Sequence, residues 1–124
     1  MSAHRTIDDV LADARSRIAR VEPVDVQAEL ADGAVLVDIR PAAQRAEEGE
    51  ASGALVIERN VLEWRCDPAS DARIDQAVDH DVRWIILCSQ GYTSSLAAAA
   101  LQELGLHRAT DVIGGYEALA PVLG

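Results

Sequence analysis

Short apolar runs alternate along the chain with stretches whose apolar residues recur every three or four positions. Thr6 followed three residues later by Asp9 reads as a capping box opening an amphipathic helix. Its apolar positions are Ile7, Val10, Leu11, Ala14 and Ile18, the spacing of one helical face. Asp25 can cap a short helix through Leu30, closed by Gly33. Ala34–Val37 is the first strand. Pro41 opens another helix, at a position that tolerates proline, and Gly49 ends it. Leu55–Ile57 reads as a second strand, and Asn60 as the cap of a helix through Arg65, before Asp67-Pro68 breaks the chain. Ala72–Val78 is weakly helical. Trp84–Leu87 is an uninterrupted apolar run, the kind buried on both faces of a parallel sheet. An alanine-rich helix over Ser94–Leu104 stops at Gly105. Val112-Ile113 forms a short last strand, and Gly114-Gly115 turns the chain into a final helix through Leu119.

This alternation predicts an α/β fold: a mainly parallel central sheet, right-handed crossovers, and helices on both faces. Ligands in such sheets bind beyond the carboxyl ends of the strands. That rule selects Asp38 and Arg40, Glu58 and Arg59, Cys88 and Gly114 before any motif is considered.

Composition narrows the classes. A chain of 124 residues is one domain, and at 49% hydrophobic residues it is too apolar for a disordered one. No apolar run approaches the ~20 residues of a membrane span. The opening MSAHRTIDDV has no apolar core, so no secretory signal is expected. Two cysteines without such a signal argue for free thiols in a reducing, cytoplasmic setting. All eleven cations are arginine, against 21 acidic residues, for a net charge of −10. Nucleic acid is excluded as a partner. An anionic substrate meets a repulsive field unless arginines reverse it locally. His4, His80 and His107 are scattered and the cysteines far apart, so no metal and no other cofactor is expected.

The chemistry concentrates in Cys88-Ser89-Gln90-Gly91-Tyr92-Thr93-Ser94. A cysteine ends a buried strand, and a helix capped by Thr93 or Ser94 follows. A loop curling onto a helix N-terminus points backbone N–H groups inward, and with the helix dipole this nest favours an anion at its centre. A thiol placed there is a nucleophile. Gly91 suits a loop too tight for a side chain. The plainer alternative is a small buried apolar residue at a strand end, as most free cysteines are; the combination of strand end, glycine and helix start favours the reactive reading. Cys66 can be read as a resolving thiol or, with no Cys-x-x-Cys spacing, as a packed one. Tyr92 is expected at the pocket mouth and Tyr116 in the packing.

Four segments resemble one family. Leu36-Val37-Asp38-Ile39-Arg40, Gly49-Glu50-Ala51-Ser52-Gly53-Ala54, the Cys88–Ser94 loop and Gly114-Gly115-Tyr116-Glu117-Ala118-Leu119 are similar, in order and spacing, to the signatures of single-domain rhodanese-like sulfurtransferases. The resemblance runs from about Asp25 to Gly124. With the amphipathic helix that the Thr6–Asp9 box opens, the chain divides into an N-terminal helix over 1–22 and a rhodanese-like domain over 23–124. The resemblance implies that Cys88 carries sulfane sulfur as a persulfide. The loop residues Ser89, Gln90, Gly91, Tyr92, Thr93 and Ser94 would bind substrate, and Asp38 and Arg40 would form a structural charge pair. The partners implied are a small-molecule or protein persulfide donor and a thiol acceptor; oligomeric state is left open.

The loop departs from the family's commonest form, which has arginine where Thr93 stands and often a cation at Ser89. Its Cys-x-x-Gly-x-Thr pattern resembles that of mercaptopyruvate sulfurtransferases. Glu50 replaces a usual histidine, and Gln44 a common acidic residue. Arg59 or Arg65, after the second strand, can supply the missing cation, or else belong to a solvated charged face. A non-catalytic or weakly catalytic binding or persulfide-sensing module is the first alternative function. A cysteine phosphatase or arsenate reductase is the second, but its Cys-x5-Arg loop would need arginine at Ser94.

Overall fold

The capping box forms as expected and starts α1 (Ile7–Ser16): Thr6 Oγ1 accepts from the Asp9 amide, and the Asp9 carboxylate accepts from the Thr6 amide, each at 3.0 Å. The computed structural model describes residues 4–123. Met1, Ser2 and Ala3 of the expected N-terminal helical segment, and Gly124 at the end of the expected rhodanese-like domain, lie outside the described residues. A 3-10 turn (Pro23–Asp25) leads into α2 (Val26–Ala31), then β1 (Val35–Asp38), α3 (Ala42–Glu48) and β2 (Leu55–Val56). A second 3-10 turn (Arg59–Val61) precedes α4 (Leu62–Cys66), and the chain ends β3 (Trp84–Leu87), α5 (Thr93–Glu103), β4 (Thr110–Asp111), α6 (Gly115–Leu123). Among the described residues no helix is long and apolar enough to cross a membrane.

The sheet is wholly parallel, in the order β2-β1-β3-β4. Val21 adds a single parallel bridge beside Val112. The chain steps from β1 to β2 on one side, then returns to place β3 on the other. A crevice therefore opens at the carboxyl ends of β1 and β3, the place where such sheets bind ligands. The Ile39 amide donates to the Leu87 carbonyl at 2.9 Å across that point, so pairing continues to the residue before Cys88.

Alternation along β1 and β3 divides the core in two. Val37, Ile86 and Trp84 pack on one face with Ile18, Leu62, Cys66, Ala97 and Leu101. Leu36, Ile85 and Leu87 pack on the other with Val26, Val112 and Leu119. Both faces of the sheet are thus covered by helices, as its continuous apolar strands require.

Several expected boundaries differ. The last strand is Thr110–Asp111, two residues before the apolar pair Val112-Ile113. These polar residues can be buried because their side chains are satisfied: Thr110 Oγ1 donates to the Ala19 carbonyl at 2.8 Å, and Asp111 takes Arg20, Ser94 and Ser95. Ala72–Val78 forms turns, not a helix. There Asp67 and Ser70 side chains capture nearby amides, and the Ile74 amide is tied to the Arg65 carbonyl at 2.9 Å. Such local competition overrides a weak propensity. Asp25, Asn60, Thr93 and Ser94 supply no side-chain caps.

Cys66 lies in the first core cluster with no exposed surface. Burial, with the Glu63 carboxylate second, pushes its thiol up to about 12 from 9.0. Above pH 9 the unfolded chain ionises this group and the folded chain does not, so stability present below that pH is lost as pH rises towards 12. Denaturant melts of wild type against Cys66→Ala should show an extra loss of about 1.4 kcal/mol per pH unit above pH 9 in the wild type only.

Candidate active site

Cys88 follows β3 directly and is 5% exposed. Its Sγ accepts a hydrogen bond from the Gly91 amide at 3.2 Å. Among the described residues no carbonyl or side chain accepts from the amides of Ser89, Gln90, Tyr92 and Thr93. Thr93 begins α5, so the helix's positive end points at the same place. An anionic sulfur on Cys88 is therefore met by the Gly91 amide and by the positive end of α5, with no side-chain cation in the loop itself.

The loop is held from below by the turn into α6. The Tyr116 amide donates to the Cys88 carbonyl at 2.7 Å and the Glu117 amide to the Ser89 carbonyl at 3.0 Å. The approach is too close for side chains. A Cβ on Gly115, at φ +64°, would lie 2.5 Å from the Cys88 oxygen and 2.6 Å from the Gly91 nitrogen. A Cβ on Gly91, at φ +83°, would lie 2.9 Å from the Gly114 nitrogen.

Around Cys88 is a cavity of about 220 Å³, lined by Ile39, Arg40, Pro41, Gln44, Ser89, Gln90, Tyr92 and Thr93. A neighbouring cavity of about 560 Å³ shares Gln44, Ser89 and Gln90 with it and adds Glu48, Tyr116, Glu117 and Ala120. The Ser89 hydroxyl lies 2.9 Å from both Gln44 Oε1 and Glu48 Oε1, and Gln90 Nε2 donates to Glu117 at 3.2 Å. Tyr92 is 60% exposed at the mouth. Ser94 turns away: its hydroxyl is fully buried and donates to Asp111 at 2.7 Å, so it does not line the cavity.

Asp38 and Arg40 form a charge pair at 2.7 Å with almost no exposed surface. Arg40 also donates to Glu48 at 3.1 Å and to the Gly49 carbonyl at 2.8 Å, and stacks 4.0 Å over the Tyr116 ring. Burial works against its charge, but hydrogen bonds to Asp38 and Glu48 outweigh that and hold its pKa above the ordinary value. With every nitrogen engaged, Arg40 ties β1 to α3 and α6.

The two arginines offered for the missing cation do not reach the cavity. Arg59 pairs with Glu63 at 2.7 Å within one helical turn, and Arg65 donates to the Ala72 carbonyl at 3.2 Å. Their β2 lies at the sheet edge, with β1 between it and β3. Cations do reach the loop, from elements not considered for that role. Arg15 of α1 and Arg20 both donate to the Gly91 carbonyl, at 2.8 and 3.0 Å. Asp111 is buried behind them. No short motif marks these three residues; only the bonding requirement of a carboxylate at a strand end could have drawn attention to Asp111.

The Rhodanese-like domain family model matches residues 22–120. The chain belongs to the rhodanese-like family. No curated protein sequence matches the chain. A rhodanese homologue from Thermus thermophilus shares 22% identity at a TM-score of 0.54, over 79% of this chain and 96% of its own. A thiosulfate sulfurtransferase from Pseudomonas aeruginosa shares 18% identity at a TM-score of 0.63, over 84% of this chain but 18% of its own. A protein of unknown function from Rhodopseudomonas palustris, described as a possible tyrosine phosphatase, shares 27% identity at a TM-score of 0.85, over 100% and 96%. Membership of the rhodanese-like family supports the sulfurtransferase superfamily.

The glycine contacts yield a direct test in this rhodanese-like loop. Gly115→Ala should cost roughly 2–5 kcal/mol, from left-handed strain plus overpacking, and should slow alkylation of Cys88. Gly33, at φ +101° with nothing within 4 Å, is the control. Its alanine variant should cost only the strain and leave alkylation unchanged in a mass-spectrometric time course.

Proposed function

We propose that this chain is a sulfurtransferase that carries sulfane sulfur as a persulfide on Cys88. The observation that carries the reading is the Gly91 amide turned onto Sγ at 3.2 Å, within a loop of unclaimed amides at the head of α5. The thiolate attacks the outer sulfur of a donor. A new S–S bond forms, the donor's own bond to that sulfur breaks, and the electron pair leaves on the remaining fragment: sulfite, a thiolate, or the enolate of a mercaptopyruvate-like donor. The loop amides then hold the terminal sulfur anion. A thiolate acceptor attacks that terminal sulfur and releases Cys88 as thiolate. Electrons balance without an oxidant, and the rates follow thiol-exchange logic.

Charge at the mouth bears on the donor. Glu48 and Glu117 stand beside the cavity, and Arg40 is fully engaged. A doubly charged donor such as thiosulfate meets no free cation there among the described residues, on a protein of net charge −10. Missing one charge-assisted contact costs ~1.5–3 kcal/mol, or roughly 10–100-fold. A persulfide or mercaptopyruvate-like donor suits the site better. Phosphoryl transfer is poorly served, because Ser94 stands where a gripping arginine is needed and its hydroxyl is spent on Asp111.

Exposure to a persulfide donor should add one sulfur to Cys88 in the wild type and in Cys66→Ala, and none in Cys88→Ser. No adduct on wild-type Cys88 would leave the persulfide-sensing and carrier readings without support. In steady-state assays KM for thiosulfate should exceed that for a persulfide donor at least about tenfold. Thr93→Arg should lower it by a similar factor, while Arg59→Ala and Arg65→Ala leave it unchanged.

A further inference from the structure

We infer that Arg15 and Arg20, which precede the family-matched region, are positioning residues of the Cys88 loop, and that Arg15 is the loop's uncompensated cation. The inference rests on Cys88 being the reactive sulfur. Both guanidinium groups meet at one backbone atom, the Gly91 carbonyl oxygen, at 2.8 and 3.0 Å. Each is anchored elsewhere. Arg15 Nε donates to Ser95 Oγ at 3.1 Å. Arg20 forms a fork on Asp111, at 2.8 and 3.2 Å, and Asp111 also accepts from Ser94 and Ser95 at 2.7 Å.

Gly91 needs such an external hold. At φ +83° and without a Cβ, nothing in its own side chain resists rotation of the adjoining peptide groups. Its amide is the one bonded to Cys88 Sγ, so rotation here would withdraw the donor from the sulfur. Two charge-assisted bonds from planar, anchored groups fix the carbonyl in one direction.

The two arginines differ in charge balance. Arg20 is neutralised by Asp111. Arg15 forms no ion pair among the described residues. Its partners are a carbonyl, a hydroxyl and the Tyr92 ring, 5.5 Å away. Its whole charge therefore acts on the loop from behind, where it favours an anion at Cys88 without touching the substrate.

Alkylation of Cys88 separates charge from structure. Iodoacetate and iodoacetamide both react with the thiolate, so their rate ratio cancels the thiolate fraction and reports local potential. Cys66 has no exposed surface and stays silent. Arg15→Gln should lower the iodoacetate-to-iodoacetamide ratio about fivefold, while Arg15→Lys keeps it within about twofold of wild type. Glutamine and lysine match arginine in helix propensity, so α1 is retained in both. Arg20→Lys keeps the charge on Asp111 but loses the fork, and should slow both reagents together at an unchanged ratio. An Arg15→Gln ratio equal to wild type, or an Arg20→Lys protein alkylated at wild-type rates, would overturn the inference. A normal response of these ratios in a protein that forms no persulfide would instead sink the sulfur-transfer reading alone.

Discussion

A carboxylate with no access to water must find its whole hydration shell among protein groups. Asp111 finds it in three places at once: the guanidinium of Arg20 and the hydroxyls of Ser94 and Ser95. That single requirement joins the strand end of β4, the first turn of α5 and the segment after α1. It explains why α5 starts without a side-chain cap, since its two serines are committed inward. It also explains why the last sheet pairing falls on a polar dipeptide. The orientation of the Cys88 loop follows, because the same Arg20 and its neighbour Arg15 hold the Gly91 carbonyl.

The loop is fixed from two sides by different means. On the α6 side the contact is backbone against backbone, and it works because Gly91 and Gly115 carry nothing that would intervene. On the α1 side the contact is made by long cationic side chains that bridge a wider gap. Cys88 sits between these restraints at the switch point of the sheet, where β1 and β3 end together. The mouth above it is shaped by α3, whose Glu48 is shared between Arg40 and Ser89. Local charge at the entrance is thus negative, although the loop's rear support is cationic.

Much of this was legible in the residues. The strands of the core announce themselves as short apolar runs, and the Thr6–Asp9 capping box is a local device with a local cause. Cys88 could be placed because a strand end, a glycine and a helix start are all sequence-adjacent. Arg40 and Asp38 are two residues apart and follow a strand, so their pairing was readable as well. Arg15, Arg20 and Asp111 were not, because the bonds the two arginines make to the Gly91 carbonyl and to Asp111 span 71 to 91 residues. Arg59 and Arg65 looked well placed because they follow a strand on the right edge. The sheet order sets β2 outside β1, and each arginine satisfies itself within its own segment. Ala72–Val78 misled for a related reason: weak helical preference yields when two side chains nearby offer the backbone other partners.

The seam between α1 and the rest of the molecule has a meaning for how the domain is delimited. Recognition by similarity starts at residue 22, after Arg15 and Arg20. A fragment cut there would keep every strand, the thiol and both glycines. It would also strip Asp111 of its cation and leave the Gly91 oxygen without either guanidinium. The boundary of the recognisable module and the boundary of the electrostatically closed unit are therefore different places on this chain. Excision at the first would yield a protein that resembles its relatives in outline while lacking the counter-ion that lets its interior stay dry.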